Sequence, residues 1–206
     1  PDQVDLLRKA FHLNQDHFVL VYLGSLGTWY MLAEMLDFFQ VLLQYKPQAR
    51  FLLITKDDPE IISALASQRG IPKVNIIITF ATRQQLPNFL ALADLSVFFI
   101  KPVFSKKASS PTKQGELMGM GVPIVCNDGV GDTSEIILET QAGAVIAAFS
   151  EQEYHRICKS VDSLIRIDPQ HIHQGAQNYY SLKKGIEAYS EIYADVLTSD
   201  KLKFEN

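Results

Sequence analysis

The chain has 206 residues, of which 47% are hydrophobic and 20% are charged, and its net charge at pH 7 is −4. This composition is typical of a globular protein with one sizeable core. The slight acidic excess argues against a protein that coats nucleic acid, because phosphate contacts need a basic excess or a basic face.

The apolar runs, the first residues and the cysteines of the chain indicate which class of protein it belongs to. No apolar run reaches the roughly 18 residues of a membrane-spanning helix, and the polar opening PDQVDLLRKAFHLNQ does not have the form of a signal peptide. We therefore expect a cytoplasmic location, with a peripheral membrane contact left open. Cys126 and Cys158 lack metal-type spacing, which favours two reduced core thiols. Because the first residue is Pro1 and not Met, we expect a fragment of a longer protein.

Short apolar runs alternate with helical patterns along the chain, after a short amphipathic segment at Leu6–Phe11. Continuous apolar runs predict buried strands at Phe18–Gly24, Phe51–Thr55, Asn75–Thr79, Leu95–Ile100, Val122–Cys126 and Ala144–Ala147. Helical spacing predicts helices at Trp29–Tyr45, Pro59–Arg69, Leu86–Ala93, Ser134–Thr140, Glu151–Ile167 and Leu182–Leu197, the last one after a polar connection that contains Pro169. This alternation predicts a single α/β domain with a doubly wound, Rossmann-like parallel sheet of about six strands.

In a doubly wound sheet, ligands bind beyond the carboxyl ends of the strands, where the strand order reverses. Three predicted loops fall on that edge: Gly24–Thr28, Thr79–Gln85 and Lys101–Thr112. We expect a binding site among them.

The third of these loops leads into the segment with the clearest sequence signals for helix starts. Ser110-Pro111 predicts a helix start, because serine caps free N–H groups and proline tolerates the first helical position. Gly119 and Gly121 are expected to end this helix. The sequence Asp132–Glu135 predicts a second helix start of the capping-box type.

Lys106, Lys107 and Lys113 surround the first of these helix starts. Orphan N–H groups, the helix dipole and nearby ammonium groups together suit a phosphate or a diphosphate. The alternative is an ordinary helix start with solvated lysines.

Other ligand classes have weaker signals. The first-strand loop, Gly24-Ser-Leu-Gly27, lacks the G-x-G-x-x-G fingerprint of dinucleotide binding, and no P-loop is present. His171 and His173 have a spacing that would bind a metal on a strand, but they lie in the predicted polar connection. We expect no metal.

Three segments resemble a known family: LVYLGSLGTWYMLAEMLDFF, LPNFLALADLSVFFI and above all SPTKQGELMGMGVPIVCNDGVGD. They are similar to the C-terminal, nucleotide-sugar-binding domain of GT-B fold glycosyltransferases of family 4, or group 1. The resemblance extends from about Phe18 to Leu197. It implies that the N-terminal acceptor domain of the GT-B fold lies outside this chain.

The resemblance also implies roles for particular residues. Glu116 matches the second glutamate of the family's E-x7-E motif, which implies contact with the ribose hydroxyls. The backbone of Ala81, Thr82 and Arg83 is implied by position to neighbour the base. The resemblance places the diphosphate on the first-strand loop and the helix start already singled out, so the predicted diphosphate-binding residues are Gly24, Ser25, Lys106, Lys107, Ser110, Thr112 and Lys113.

The chain departs from the family pattern at three places. Ala108 stands where the first glutamate of the motif belongs. Ser25 replaces the usual arginine of the first-strand loop, and Trp29 and Tyr30 stand near the usual lysine. We predict that the three lysines of the later segment supply the missing positive charge, and that Trp29 and Tyr30 open a helix.

The resemblance implies a retaining glycosyltransferase that uses a nucleoside-diphosphate sugar as donor, with no further cofactor, no nucleic acid and no transmembrane segment. The motifs identify no catalytic residue. The alternatives are a sugar-nucleotide epimerase or phosphorylase on the same fold, and a non-catalytic nucleotide-binding module. We expect this chain alone to bind a sugar nucleotide without turning it over, because a GT-B enzyme closes two domains over its donor.

Overall fold

A computed structural model of the chain describes residues 2–201, with side chains described through residue 197. Within this range six parallel strands form one sheet in the order β3-β2-β1-β4-β5-β6. The predicted doubly wound sheet is therefore confirmed. The strands are β1 (Val19–Leu23), β2 (Arg50–Ile54), β3 (Ile76–Thr79), β4 (Leu95–Phe98), β5 (Ile124–Asn127) and β6 (Gly143–Ile146).

Helices follow the strands on both faces of the sheet. Those described are α1 (Gln3–Ala10), α2 (Leu32–Tyr45), α3 (Pro59–Gln68), α4 (Leu86–Leu90), α5 (Thr112–Gly119), α6 (Thr133–Glu139), α7 (Glu151–Lys159), α8 (Val161–Leu164), α9 (Pro169–Tyr179) and α10 (Leu182–Lys201). Short 3-10 turns lie at Lys73–Asn75 and Phe104–Lys106. None of the described helices is both long and apolar enough to cross a membrane.

The core lies where the central strands meet α2 and α7. Strands β1, β4 and β5 are buried almost throughout, which explains their continuous apolar runs. The rings of Phe38, Phe99 and Tyr154 contact one another with centroids 5.8–6.2 Å apart, and they fix α2 and α7 to the end of β4. Both cysteines are buried and free, as expected, and burial raises the pKa of each thiol to about 12.

Two predictions about helices around the core were wrong. The helix predicted from Trp29 begins instead at Leu32, because Tyr30 forms an antiparallel bridge with Ile100 and its backbone is committed to the sheet end. The helix predicted over Glu151–Ile167 is interrupted at Ser160, so that α7 and α8 are separate.

The predicted polar connection around Pro169 is in fact helix α9. The Asp168 side chain accepts a hydrogen bond from the Gln170 N–H (2.9 Å), and Pro169 occupies the first helical turn. Ile172, Gly175 and Ala176 form the buried face of the helix. The signal was present as Asp-Pro followed by small apolar residues at helical spacing, but the polar residues between them hid it.

Candidate functional site

The strand order reverses between β1 and β4, so that the loops after these two strands face each other at the carboxyl edge of the sheet. Backbone hydrogen bonds join the two loops. The Lys101 N–H donates to the Trp29 carbonyl (2.8 Å) and the Met31 N–H donates to the Phe99 carbonyl (3.0 Å). The loops therefore form one continuous platform above the switch point.

The first-strand loop makes a tight turn that only glycine fits at its start. Gly24 has φ +114°, and an added Cβ would lie 2.9 Å from Lys113 Nζ. Asp57, which follows β2, holds the turn by accepting hydrogen bonds from the Leu26 N–H (2.6 Å) and from the Thr55 hydroxyl. The Thr55 hydrogen bond, assisted by the one from Leu26, keeps the pKa of the Asp57 carboxyl below its usual value. Asp57 is therefore an anion that shapes the loop.

Lys113 is not solvated, as the alternative interpretation of the lysines at this helix start would require. Its side chain runs from α5 back beneath the first-strand loop and is 6% exposed. Its Nζ donates to Tyr22 Oη (3.0 Å) and lies 3.4 Å from the centroid of the Tyr30 ring, which makes a close cation–π contact. The Tyr22 hydroxyl in turn donates to the Ser25 carbonyl (2.6 Å).

The electrostatic environment of Lys113 disfavours its positive charge. Burial lowers the pKa of Lys113 to about 7, although the negative charges of Glu116 and Asp57 act in the opposite direction. No salt bridge to Lys113 forms in the part of the chain that the structure describes. Such a cation has a strong electrostatic preference for an added anion.

Lys106 and Lys107 have a different environment from Lys113. They lie at the 3-10 turn after β4, and each covers an aromatic ring: Lys106 Nζ is 4.6 Å from the centroid of Trp29, and Lys107 Nζ is 5.9 Å from that of Phe104. Phe104 itself is 87% exposed. The predicted cluster of three lysines therefore divides into one buried ammonium below the platform and two on its rim.

The two helix starts differ from their predicted form. Ser110 does not cap α5; Pro111 occupies the N-cap position, and no side chain of the described chain caps the first N–H groups. The capping box at α6 is likewise absent, since the Asp132 side chain makes no cap hydrogen bond. Uncapped N–H groups at the start of α5 remain available to an anion.

Two buried amides hold these helix starts in place. The Gln114 side chain donates from Nε2 to the Thr133 carbonyl (3.1 Å) and so ties α5 to α6. The Asn127 side chain accepts from the Ile100 N–H (2.8 Å) and donates to the Ile100 carbonyl (2.9 Å), so it continues the β4–β5 ladder by one more pair. Sequence reasoning missed both residues; the polar Asn127 directly after an apolar strand is the signal that was available.

The remaining predicted residues lie on the same edge at different depths. Glu116 is half-buried on α5, one turn after Lys113 and on the same side of the helix. Ser25, Ala108, Ser110 and Thr112 are exposed around the platform. Ala81, Thr82 and Arg83 follow β3, which β2 separates from β1.

The two histidines of the supposed polar connection lie on α9 and hold it to neighbouring helices. His171 Nε2 contacts the Thr140 carbonyl (2.9 Å), and His173 Nδ1 contacts the Gly119 carbonyl (2.7 Å). Among the described residues, no three histidine, cysteine or acidic side chains are grouped so that they could bind a metal ion.

The family model described as "Glycosyl transferases group 1" matches residues 3–174 of the chain. The chain belongs to the group 1 glycosyl transferases. The match includes both loops of the platform and α5, so the resemblance seen in the sequence motifs is confirmed. No curated protein matches the chain in sequence.

Solved structures of several glycosyltransferases have the same fold. WaaG, a glycosyltransferase involved in lipopolysaccharide biosynthesis, superposes with a TM-score of 0.71 at 19% identity over 93% of this chain. A glycosyltransferase from Rickettsia africae ESF-5 gives 0.72 at 14% identity over 96% of this chain. The chain spans about half the length of these two proteins, 51% and 52% respectively. The C-terminal domain of a group 1 glycosyl transferase (LpcC) from Francisella tularensis, of which the chain covers 85%, gives 0.55 at 20% identity over 82% of this chain.

Proposed function

We propose that this group 1 chain is the donor-binding domain of a retaining glycosyltransferase and binds a nucleoside-diphosphate sugar on the platform between β1 and β4. The observation that carries the proposal is the position of the Lys113 ammonium, which is buried against Gly24 at the switch point and forms no salt bridge with any carboxylate of the described residues. The uncapped start of α5 adds a second source of positive potential at the same edge. A TarM structure from S. aureus that matches at a TM-score of 0.66 was solved in complex with UDP, which is consistent with this ligand class.

In this proposal different residues contact the diphosphate, the ribose and the base of the donor. Lys113 and the first N–H groups of α5 bind the diphosphate, with Gly24, Ser25, Ser110 and Thr112 around it and Lys106 and Lys107 on the rim. Glu116 accepts hydrogen bonds from the ribose hydroxyls. The backbone of Ala81, Thr82 and Arg83 borders the base, about two strand spacings from β1, or roughly 10 Å. Fixed positive potential at the diphosphate stabilises it as it leaves the sugar.

The acceptor side of the reaction requires a partner domain. The described part of α10 exposes an apolar face on which each of five side chains is 53–67% exposed: Ile186, Tyr189, Ile192, Tyr193 and Val196. We propose that this face packs against an N-terminal GT-B domain of the same protein. The donor is then enclosed and shielded from water, which a single domain does not achieve.

A panel of sugar nucleotides tests the proposed function. UDP-, GDP-, ADP- and dTDP-glucose are each added to the chain and its melting temperature is measured, because a ligand that binds only the folded state raises that temperature. At least one of them is expected to raise it in a concentration-dependent way. No shift with any of the four, together with no heat of binding in calorimetry, would contradict donor binding.

Replacing Glu116 with glutamine is expected to weaken binding of the sugar nucleotide and leave the fold intact. The variant loses a charged acceptor for two hydroxyls, which costs roughly 1.5–3 kcal/mol of binding free energy. Isothermal titration calorimetry measures the change. Glu60→Gln, at an exposed glutamate in the first turn of α3, is the matched control and should bind like the parent. Equal affinity in the Glu116 variant and the parent would show that Glu116 does not contact the ligand.

A further inference from the structure

The Lys113 side chain reaches the platform from its buried side, from α5, and not from solvent. Its Nζ lies against Gly24 and donates one hydrogen bond to Tyr22, so the ammonium has further N–H donors that bind no protein oxygen within the described part of the chain. The rings of Tyr22 and Tyr30 surround it, with centroids 4.3 and 3.4 Å from Nζ. Aromatic faces attract a cation but do not neutralise it.

Four titratable groups face this ammonium: Tyr22 from β1, Tyr30 from the first-strand loop, Asp57 from the loop after β2, and Glu116 from α5 itself. Burial raises the pKa of both tyrosines, so neither ionises near neutral pH. Asp57 is fixed as a carboxylate by its hydrogen bonds, led by the one from Thr55. Compared with Tyr22, Tyr30 and Asp57, Lys113 is therefore the residue whose charge changes near pH 7.

We infer that Lys113 Nζ is the principal cation for the diphosphate of the sugar nucleotide and that it takes up a proton from water as the ligand binds. The inference rests on the proposed function. An anion beside Gly24 favours the ammonium over the neutral amine, and the aromatic rings hold the ammonium in place. Lys106 and Lys107 then assist from the rim.

The expected pH dependence follows from the sign of this linkage. Below about pH 7 the free chain already carries the Lys113 proton, so that affinity is highest and uptake is small. Above that pH the amine of the free chain is neutral while that of the complex is charged. Affinity should fall by about tenfold per pH unit, until the pKa of the complex is reached, and uptake should approach about one proton per ligand.

Calorimetry in two buffers of different ionisation enthalpy measures this proton uptake directly. The probes are the four glucose nucleotides of the panel, whose diphosphate diesters do not titrate near neutrality. The parent chain at pH 8 should take up about one proton per bound nucleotide, and at pH 6 far less. Binding without proton uptake at pH 8 would overturn the inference and leave the proposed function standing. Binding of none of the four would overturn both.

Substitutions assign the proton to Lys113. Lys113→Met should abolish the uptake, flatten the pH profile and weaken binding at pH 6 by about tenfold or more. Lys113→Arg keeps the charge without titrating near neutrality, so it should bind without uptake, a result that a merely structural role would not give. Lys73→Met, at an exposed lysine near the opposite edge of the sheet, should retain full uptake. Uptake that persists in folded Lys113→Met would overturn the assignment, and the parent's proton count stands whether or not a variant folds.

Discussion

Replacing Asn127 with leucine is expected to lower the free energy of unfolding by roughly 2–5 kcal/mol, because it leaves the buried N–H and C=O of Ile100 without partners. Leucine keeps the branched shape of asparagine but is larger and makes no hydrogen bonds, so the variant leaves no cavity and its loss of stability combines the missing hydrogen bonds with some overpacking. The melting temperature should fall by about 2–4 °C for each kcal/mol lost in a chain of this size. Urea denaturation followed by circular dichroism measures the unfolding free energy.

The matched control for this variant is Asn178→Leu, at an exposed position on α9. It changes the same side chain without burying an unpaired backbone group, and its stability should stay within about 0.5 kcal/mol of the parent. Asn127→Leu with the stability of the control would mean that the Ile100 backbone finds other partners. The side chain of Asn127 would then not be needed to extend the ladder into the platform.

Replacing Gly131 with alanine is expected to destabilise the chain by roughly 2–5 kcal/mol and to weaken binding of the sugar nucleotide. Gly131 has φ +47°, and an added Cβ would lie 1.9 Å from the Ser109 carbonyl oxygen, a separation that no relaxed structure tolerates. The Gly131 N–H also donates to the Lys106 carbonyl (3.0 Å). In the Gly131→Ala variant, the segment from Lys106 to Ser110 must therefore move away from the loop before α6.

Gly70→Ala separates the two causes of this effect. Gly70 also has a positive φ (+68°), but no atom lies within 4 Å of an added Cβ. It should show the conformational cost alone, about 1–2 kcal/mol, with donor binding unchanged. If both variants lose the same stability and both still bind the nucleotide, the contact between Gly131 and Ser109 does not hold the rim of the site.

The strands, and their alternation with helices along the chain, were predictable because each element depends on a short, local pattern. Buried strands such as Val19–Leu23 are continuous apolar runs, and the alternation with helices leaves few topologies. The location of the site followed from that topology. Most element ends differed by one to three residues, since a boundary depends on contacts that lie far apart in the chain.

The chemistry of the site was less predictable because it depends on where long side chains go. Lys113, Lys106 and Lys107 are the same residue type within one segment, and nothing local shows that Lys113 turns inward under a loop of β1. Ser110 and Asp132 are good N-cap residues, yet Pro111 takes the N-cap position of α5 and the Asp132 side chain makes no cap hydrogen bond at α6. The pairing of Asn127 with Ile100 likewise spans 27 positions in sequence.

Trp29 gives the protein an optical reporter of its own. It is the one tryptophan among the 206 residues, it lies on the rim of the platform, and the Lys106 ammonium rests 4.6 Å from the centroid of its ring. Selectively excited emission therefore originates at the proposed binding edge, with no contribution from a second indole elsewhere. An anionic ligand that draws Lys106 off the indole changes the local field around the fluorophore, so binding can be followed in real time without attaching a dye.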